Sequence, residues 1–212
     1  MHRRSPHTWL STVTSLGGVN LSDDAIRDAH GGQLPAGIEP CGASIDLWNG
    51  FYQFRVPELG SHFAMGYPDA AAAYGVTEIF CEDSLSYVPV DGSTVVYPVF
   101  EGMAMGWAWA LHSCHGTICK AGAETGGSLV RDRCVMTTPT VERPLRCPYV
   151  DNDNIIGLNK TSVQRTLSEV IGDLTGSGFK VHEQVDATEE LNLVGIVFDG
   201  RRRTLRLTHR RL

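Results

Sequence analysis

The stretch Tyr149-Val150-Asp151-Asn152-Asp153-Asn154-Ile155-Ile156-Gly157 decides the fold of this 212-residue chain. Two short apolar arms flank a polar tip, which is the pattern of a tight β-hairpin. A second acidic site lies about a hundred residues earlier, where the apolar stretch Ala43-Ser44-Ile45-Asp46-Leu47 predicts a buried strand ending near a carboxylate. Asp46 and Asp151 are therefore expected on neighbouring strands of one sheet.

The spacing of apolar residues predicts the elements around this hairpin. The clearest helix covers 161–175, with apolar residues at helical spacing and glycines at its end. A buried helix is expected over 103–120. The stretch Leu21-Ser22-Asp23-Asp24 is expected to cap a short helix over 25–30. Extended segments are expected at 51–56, 76–80, 94–100, 179–182, 191–198 and 204–207. This order predicts an α+β fold, an antiparallel sheet with helices packed on one face.

Composition limits the classes of protein. The chain has 18 basic and 24 acidic residues, a net charge of −6, which argues against a simple nucleic-acid coat. Six arginines, however, lie in the last 12 residues, which contain no acid. This basic strip has two open interpretations. It is a surface that tracks phosphates, or else it is simply the solvated face of a strand or a chain end cut out of a larger protein.

No apolar run approaches the roughly 20 residues that cross a bilayer, so we expect a soluble intracellular protein without a membrane partner. The six cysteines are scattered and form no Cys-x-x-Cys pair, so most are expected to be buried thiols.

Two separated carboxylates on adjacent strands suit a specific chemistry. Nucleotidyl transfer uses carboxylates that hold two divalent cations about 3.5–4 Å apart, one activating the attacking oxygen and one steadying the leaving group. An isolated Asp at a strand end is more often a turn or cap residue, so neither Asp46 nor Asp151 would indicate this chemistry alone.

Five segments, taken in order, resemble the palm of reverse transcriptases, and their order is more specific than any one segment. They are Asp46-Leu47-Trp48-Asn49-Gly50-Phe51-Tyr52-Gln53, Met103-Ala104-Met105-Gly106-Trp107-Ala108-Trp109-Ala110-Leu111, Tyr149-Val150-Asp151-Asn152, Gly178-Phe179-Lys180-Val181 and Leu193-Val194-Gly195-Ile196. The resemblance implies a right-hand polymerase palm over 36–212, with partial fingers inserted at about 57–100. Residues 1–35 would be an N-terminal extension or part of the fingers, and the thumb is expected to be absent.

The resemblance also implies roles for individual residues. Asp46, Asp151 and Asn152 would form the catalytic site, with Asp46 and Asp151 holding two Mg²⁺ or Mn²⁺ ions and Asp153 a weaker candidate ligand. Phe51 would stack under the sugar and exclude a ribose 2′-hydroxyl. Gln53, Gly106 and Lys180 are the other expected nucleotide contacts.

The implied function is that of an RNA-directed DNA polymerase of a retroelement, acting on an RNA or DNA template-primer and deoxynucleotides. Further polyprotein domains, such as a thumb, RNase H, integrase or recombinase, are the other implied partners.

Asn152 departs from the family pattern, which has a second adjacent Asp at this position. A neutral amide offers an oxygen ligand without negative charge, so we expect weaker binding of the catalytic metal. Asp153 is a poor substitute, because a shift of one residue along a strand turns a side chain to the other face. The alternative function is a degenerate palm that folds and binds nucleic acid without polymerising.

Two metal-site alternatives carry less weight. The Asp151–Asn154 tip lacks the glycine and the bidentate glutamate of a calcium-binding EF-hand loop. His112, His115 and Cys119 share a helix face at the spacing of zinc ligands, but no second ligand pair is evident and a structural role is commoner.

Overall fold

The computed structural model describes Leu16 and residues 18–208, apart from positions 82, 125, 131–134 and 194. The described residues divide into two compact units, one drawn from Met1–Gln53 and Met105–Leu212 and the other from Phe54–Ala104. Residues 1–15 of the predicted N-terminal region, Cys134, Val194, Arg210 and Arg211 lie outside the described residues.

The first unit contains the three α-helices of the described residues and most of the strands. Its elements are α1 (Asp23–Ala29), β1 (Cys41–Leu47), a 3-10 turn (Gly50–Gln53), α2 (Ala108–Lys120), β6 (Ser128–Leu129), β7 (Leu145–Arg146), β8 (Asn152–Gly157), α3 (Lys160–Gly176), β9 (Val181–Thr188), β10 (Glu190–Leu193), β11 (Ile196–Asp199) and β12 (Thr204–Leu207). The second unit contains β2 (Asp69–Ala70), β3 (Glu78–Cys81), β4 (Ser86–Pro89) and β5 (Val95–Val96), with 3-10 turns at Pro57–His62 and Ala71–Tyr74.

The main sheet has five strands in the order β6-β7-β8-β1-β9, and all its pairs are antiparallel except β6 with β7. One face of β1 is apolar, with Cys41, Ala43, Ile45 and Leu47 packed in a core that includes side chains of α2 and α3. From α3 this core receives Val163, Leu167, Val170 and Leu174, all at most 1% exposed. The architecture is therefore α+β, with helices on one face of a largely antiparallel sheet.

The opposite face of the sheet carries Gly42, Ser44 and Asp46. At the Gly42 end it is covered by the three-stranded sheet β10-β11-β12, and a Cβ at Gly42 would lie 3.0 Å from the Leu191 side chain. Leu191, Ile196 and Phe198 belong to a second core on this face. At the Asp46 end the face opens into a groove, so one end of β1 is packed and the other accessible.

Several predicted elements are confirmed by the structure. The strand at 43–47, the hairpin at 149–157, the helix at 161–175 and the strand at 204–207 are all present with small changes of boundary. The Ser22 side chain accepts a hydrogen bond from the Ala25 amide at 3.3 Å, so it caps α1 as expected. Cys41, Cys114 and Cys147 are buried, and burial raises the pKa of the Cys41 thiol to about 11.

Three predictions of secondary structure were wrong. The segment predicted as extended at 51–56 begins with a 3-10 turn, because its apolar alternation reflects packing of a turn rather than a strand. The strand predicted over 191–198 is a hairpin of β10 and β11, which turns at Gly195 with a φ of 85° that glycine tolerates. The strand predicted over 94–100 is reduced to the two residues of β5.

The second unit, Phe54–Ala104, is built from two separate two-stranded sheets, β2-β5 and β3-β4. Among its described residues, Ala71 and Met103 are the buried apolar side chains, whereas Tyr67, Tyr87 and Tyr97 are 66–89% exposed. An isolated pair of strands gains little stability in water. With so few buried apolar side chains, this unit has only a small core to stabilise its two strand pairs.

Arg146 ties the hairpin to α2 and is itself fully buried. Its guanidinium pairs with the Asp153 carboxylate at 2.5 Å and donates to the carbonyls of Ile118 and Ala121, at 2.9 and 2.6 Å. Burial raises the pKa of Asp153 to about 6, and the charge of Arg146 opposes that rise. Arg146 supplies the positive charge that pairs with this buried carboxylate, and the backbone amide of Asn154 also favours its charged form.

We predict that Arg146→Met lowers the free energy of unfolding by about 3–5 kcal/mol, because it leaves a buried carboxylate unpaired. The double variant Arg146→Met/Asp153→Leu should recover part of that loss, because it also removes the unpaired carboxylate. Recovery should be incomplete, because the carbonyls of Ile118 and Ala121 still lack their donor. Urea denaturation measures both. Arg27→Met, which breaks an exposed ion pair with Asp24, should cost less than about 1 kcal/mol. An Arg146→Met variant as stable as the wild type would contradict this account.

Candidate active site on the open face of the sheet

The hairpin turn places Asp151 at the edge of the sheet. Tyr149 and Asn152 exchange backbone hydrogen bonds of 2.8 and 2.9 Å, which close a two-residue turn over Val150 and Asp151. Val150 has a φ of 57° and is buried. A β-branched residue rarely adopts this conformation, so the surrounding contacts hold a strained turn in place.

Asp46 lies beside this turn because β1 and β8 pair in a specific register. The Cα of Asp46 is opposite that of Asn152, and the Cα of Ile45 is opposite that of Asp153. Side chains of directly opposed residues share a face of the sheet, so Asp46 and Asn152 lie on the open face. The amide of Leu47 donates to the carbonyl of Asp151 at 3.0 Å, which joins the end of β1 to the tip of the hairpin.

The two aspartates interact electrostatically. Desolvation raises the pKa of Asp46 above its ordinary value of 3.8, and the negative charge of Asp151 is the next largest cause. His182 opposes the rise and Glu183 adds to it. A divalent cation between the two carboxylates would relieve their repulsion, so this pair fits a cation ligand set in charge and in donor type.

Asn152 is a partner of Asp151. Its side-chain amide donates to a carboxylate oxygen of Asp151 at 3.1 Å. Across the described residues, no group of three or more His, Cys, Asp or Glu side chains is arranged to hold a metal ion. The three residues predicted to form the catalytic site are thus two carboxylates, Asp46 and Asp151, and one amide, Asn152.

Asp153, the weaker candidate ligand, lies on the opposite face with Ile45, where it is fully buried against Arg146. The structure does not bring it together with Asp46 and Asp151. The cause is that successive side chains of a strand point to opposite faces of the sheet. Asp153 follows Asn152 directly, so its side chain points away from the face that carries Asn152 and Asp46.

Phe51 and Gly106 are two of the other predicted nucleotide contacts. Phe51 is half-buried in the 3-10 turn that follows β1, and this turn lies against α2. Gly106 has a φ of 95° just before α2, a conformation that favours glycine. The described geometry thus gives Gly106 a structural reason for its identity.

Gln53 and Lys180, the other two predicted nucleotide contacts, bind each other: the Gln53 side chain forms hydrogen bonds with the Lys180 backbone. The Gln53 amide donates to the carbonyls of Trp48 and Lys180, at 2.8 and 2.9 Å, and its oxygen accepts from the Lys180 backbone amide at 2.6 Å. The Lys180 ammonium lies 5.7 Å from the centre of the exposed Trp48 ring. Gln53 therefore joins the loop after β1 to the start of β9, and the Lys180 charge remains at the surface.

Sequence reasoning missed Glu183 and Gly50. The Cα of Glu183 is opposite that of Asp46 on β9, and both side chains line a groove of about 330 Å³ with Glu190 and the amides of Asn152, Asn154 and Asn192. None of the described residues that line this groove is basic. The β1-β9 register alone brings Glu183 there, and no local pattern in the sequence indicates that register.

The zinc alternative gains no support. His115 Nε2 lies 3.5 Å from the Cys119 sulfur on α2, but the described part of the chain offers no third ligand in a suitable arrangement.

The basic C-terminal strip is largely paired with acids. Arg201 pairs with Glu189, Arg203 with Asp23, Arg202 with Asp199 at 3.8 Å and Arg206 with Glu190 at 3.1 Å. Of these four arginines, Arg206 lies on β12 and the other three lie in the turn before it, so the described part of the strip is a solvated turn and strand whose charges are paired with acids.

The comparisons with known proteins find similarity to solved structures and to no family model. No family model matches the sequence, and no curated protein matches it. Among solved structures, the chain is similar to apo telomerase from Candida tropicalis truncated from its C-terminal domain, with a TM-score of 0.41 and 10% sequence identity. The match covers 92% of this chain and spans 41% of the telomerase chain. A likeness at this level decides neither the function nor the site.

No helix within the described ranges is long and apolar enough to cross a membrane.

We predict that Asp46→Asn becomes more stable relative to the wild type as pH rises. The folded state holds the Asp46 proton to higher pH than the unfolded state, so ionisation costs the wild type stability between the ordinary pKa and the raised one. Urea denaturation from about pH 4 to pH 8 measures the difference between variant and wild type.

Asp186→Asn is the matched control of opposite sign. Hydrogen bonds from Gln184 and Gln164 lower the pKa of Asp186, so its stabilising contribution is present above the ordinary pKa and is lost as pH falls. The Asp186→Asn variant should therefore lose stability relative to the wild type as pH rises. A pH-independent difference for Asp46→Asn would contradict the predicted coupling.

Proposed function

We propose that this chain is the palm region of an RNA-directed DNA polymerase of a retroelement. The observation that carries the proposal is the juxtaposition of Asp46, at the end of β1, and Asp151, at the tip of the adjacent hairpin, beside an open face of the sheet. Desolvation raises the pKa of Asp46 and the negative charge of Asp151 adds to that rise, and a bound divalent cation would relieve this repulsion.

In this proposal Asp46 and Asp151 hold Mg²⁺ or Mn²⁺, with the amide oxygen of Asn152 as a neutral ligand in place of a third carboxylate. When bound, the metal ions lower the pKa of the primer 3′-hydroxyl and neutralise the leaving pyrophosphate. The chain itself positions these carboxylates through the β1-β8 pairing, and Gln53 fixes the neighbouring loop. Phe51, half-buried beside this loop, is the residue proposed to select the sugar.

The domain boundaries follow the same proposal. The fingers insertion proposed at about 57–100 would fall within the second compact unit, Phe54–Ala104, and the rest of 36–212 would form the palm. Residues 1–35 would be an N-terminal extension or part of the fingers. A thumb and further polyprotein domains are proposed partners, because a palm alone does not enclose a duplex.

Charge restricts how a template-primer would bind. The 54–104 segment has seven acidic residues and one basic residue, Arg55, whose guanidinium pairs with Glu101 at 2.5 Å. Phosphates are attracted by Lys and Arg, so this unit is a poor phosphate-binding surface. Template-primer and deoxynucleotide contacts are therefore assigned to the first unit, where Lys180 is an exposed cation near the site.

The second candidate function is a degenerate palm that binds nucleic acid without polymerising. The hydrogen bond from Asn152 to Asp151 favours it, because the position that would supply a third negative charge instead donates to an existing ligand. The acidic 54–104 segment favours it as well. Intact Asp46 and Asp151 favour the enzyme.

We predict that the wild type extends a DNA primer on an RNA template in Mn²⁺ and that Asp46→Ala abolishes extension. Asn152→Asp should raise the extension rate about 10–100-fold, the range found when the ligand environment of a metal site changes. Asp186→Ala, at an exposed acid of β9 whose carboxylate accepts from Gln164 and Gln184, is the control that should match the wild type. Gel-resolved single-turnover extension measures all four proteins.

Background incorporation by wild type, Asp46→Ala and Asn152→Asp alike would overturn the polymerase proposal. Fluorescence anisotropy with the same labelled template-primer then separates the two candidates. Binding without extension in wild type and Asn152→Asp is the result expected of the degenerate palm.

A further inference from the structure

Gly50 lies directly against Asp151. A Cβ at position 50 would lie 2.5 Å from the Asp151 Cβ and 3.0 Å from its Oδ2. Atoms of this type do not approach so closely, so no residue other than glycine fits without a shift. The backbone φ of Gly50 is not positive, so its conformation does not itself require glycine. The close approach to Asp151 is the reason for a glycine here.

Asp151 cannot easily move away from Gly50. Its carbonyl accepts from the Leu47 amide at 3.0 Å, and the turn that contains it is closed by the two hydrogen bonds between Tyr149 and Asn152. Its carboxylate is held on the other side, because Oδ1 accepts from the Asn152 amide at 3.1 Å. The buried Val150, with a φ of 57°, further restricts the turn.

The loop that contains Gly50 is equally restrained. The Trp48 amide donates to the Lys180 carbonyl at 3.0 Å, and the Tyr52 amide donates to the Asn49 carbonyl at 2.7 Å. The Gln53 amide binds the Lys180 backbone in both directions. Gly50 itself is buried. A side chain at position 50 must therefore displace either the loop or the carboxylate-bearing turn.

We propose that Gly50 and the Asn152 amide form a clamp that sets the orientation of the Asp151 carboxylate, with Gly50 as a positioning residue. The inference rests on the proposed function, in which Asp151 is a metal ligand. Relieving a 2.5 Å contact requires a shift of roughly 1 Å, and misplacement by about 1 Å can cost on the order of 10²-fold in rate. The clamp assigns Asn152 a second role, as the donor that holds Asp151. Asn152→Asp removes this donor, so the rate gain predicted for that variant requires the added negative charge at the metal site to outweigh the lost hydrogen bond.

The test compares Gly50→Ala with Gly172→Ala. Gly172 is exposed on α3, and the position that an added methyl group would take there is open space, so this control makes the same chemical change without a clash. The Mn²⁺ dissociation constant, measured by electron paramagnetic resonance, should rise about tenfold or more in Gly50→Ala and stay unchanged in Gly172→Ala. The maximal rate of primer extension should fall by up to about 10²-fold, with an unchanged KM for template-primer.

A second measurement reports on the clamp without metal or substrate. The ¹³Cγ signal of Asp151, assigned in ¹³C-aspartate-labelled protein with the Asp151→Asn variant, should shift in Gly50→Ala and remain in place in Gly172→Ala. Urea denaturation of the variants shows that each is folded. A role in stability alone would change the denaturation midpoint without changing metal affinity in the folded protein.

The outcomes separate the clamp from the proposed function. If the wild type binds Mn²⁺ and Gly50→Ala binds it equally well, the clamp is overturned and the polymerase proposal stands. If the wild type binds no Mn²⁺, the metal site fails, and the Asp151 signal alone decides the clamp: a shift in Gly50→Ala supports it, and an unchanged signal overturns it.

Discussion

The pairing of β1 with β8 is the constraint on which the rest of this structure depends. Its register places Ile45 opposite Asp153 and Asp46 opposite Asn152. Because side chains alternate along a strand, the first pair faces the helices and the second faces the groove. A slip of one residue would bury Asp46 under α3 and expose Ile45, so the apolar core that stabilises the sheet also sets the position of the candidate site.

Two neighbouring acids of one hairpin consequently have different electrostatic environments. Asp153 is fully buried and its charge is compensated by Arg146, which also binds the carbonyl groups at the end of α2. Asp151 lies at the tip, with its charge directed toward Asp46 and one oxygen bound by Asn152. The buried ion pair holds the hairpin against the helix, and this anchoring allows the tip to bring two like charges close together.

The loop after β1 completes this arrangement from the other side. Leu47 binds the backbone of Asp151, Gly50 leaves room for its side chain, and Gln53 holds the start of β9. Gln53 and Gly106, which the resemblance to reverse transcriptases implies as ligand contacts, thus have structural reasons for their identity. Under the proposed function, chemistry at this site would depend on Asp46 and Asp151, and the remaining polar groups would chiefly set where those two carboxylates lie.

The amino-acid sequence by itself determined the local elements whose signals are periodic or depend on neighbouring residues. These are the helix α3, the hairpin around Asp151, the cap of α1 by Ser22 and the strand that contains Asp46. It also indicated that Asp153 could not readily replace a ligand at Asn152, because that conclusion requires only the alternation of side chains along a strand.

Only the tertiary structure decided which distant residues meet. Glu183 lies opposite Asp46 because of the β1-β9 register, and Arg146 is buried because α2 offers it two carbonyl groups. Gly50 is a glycine because Asp151, about a hundred residues later, occupies the space beside it. Such contacts join residues far apart in the chain and depend on packing and strand register, for which short-range patterns of hydrophobicity contain no information.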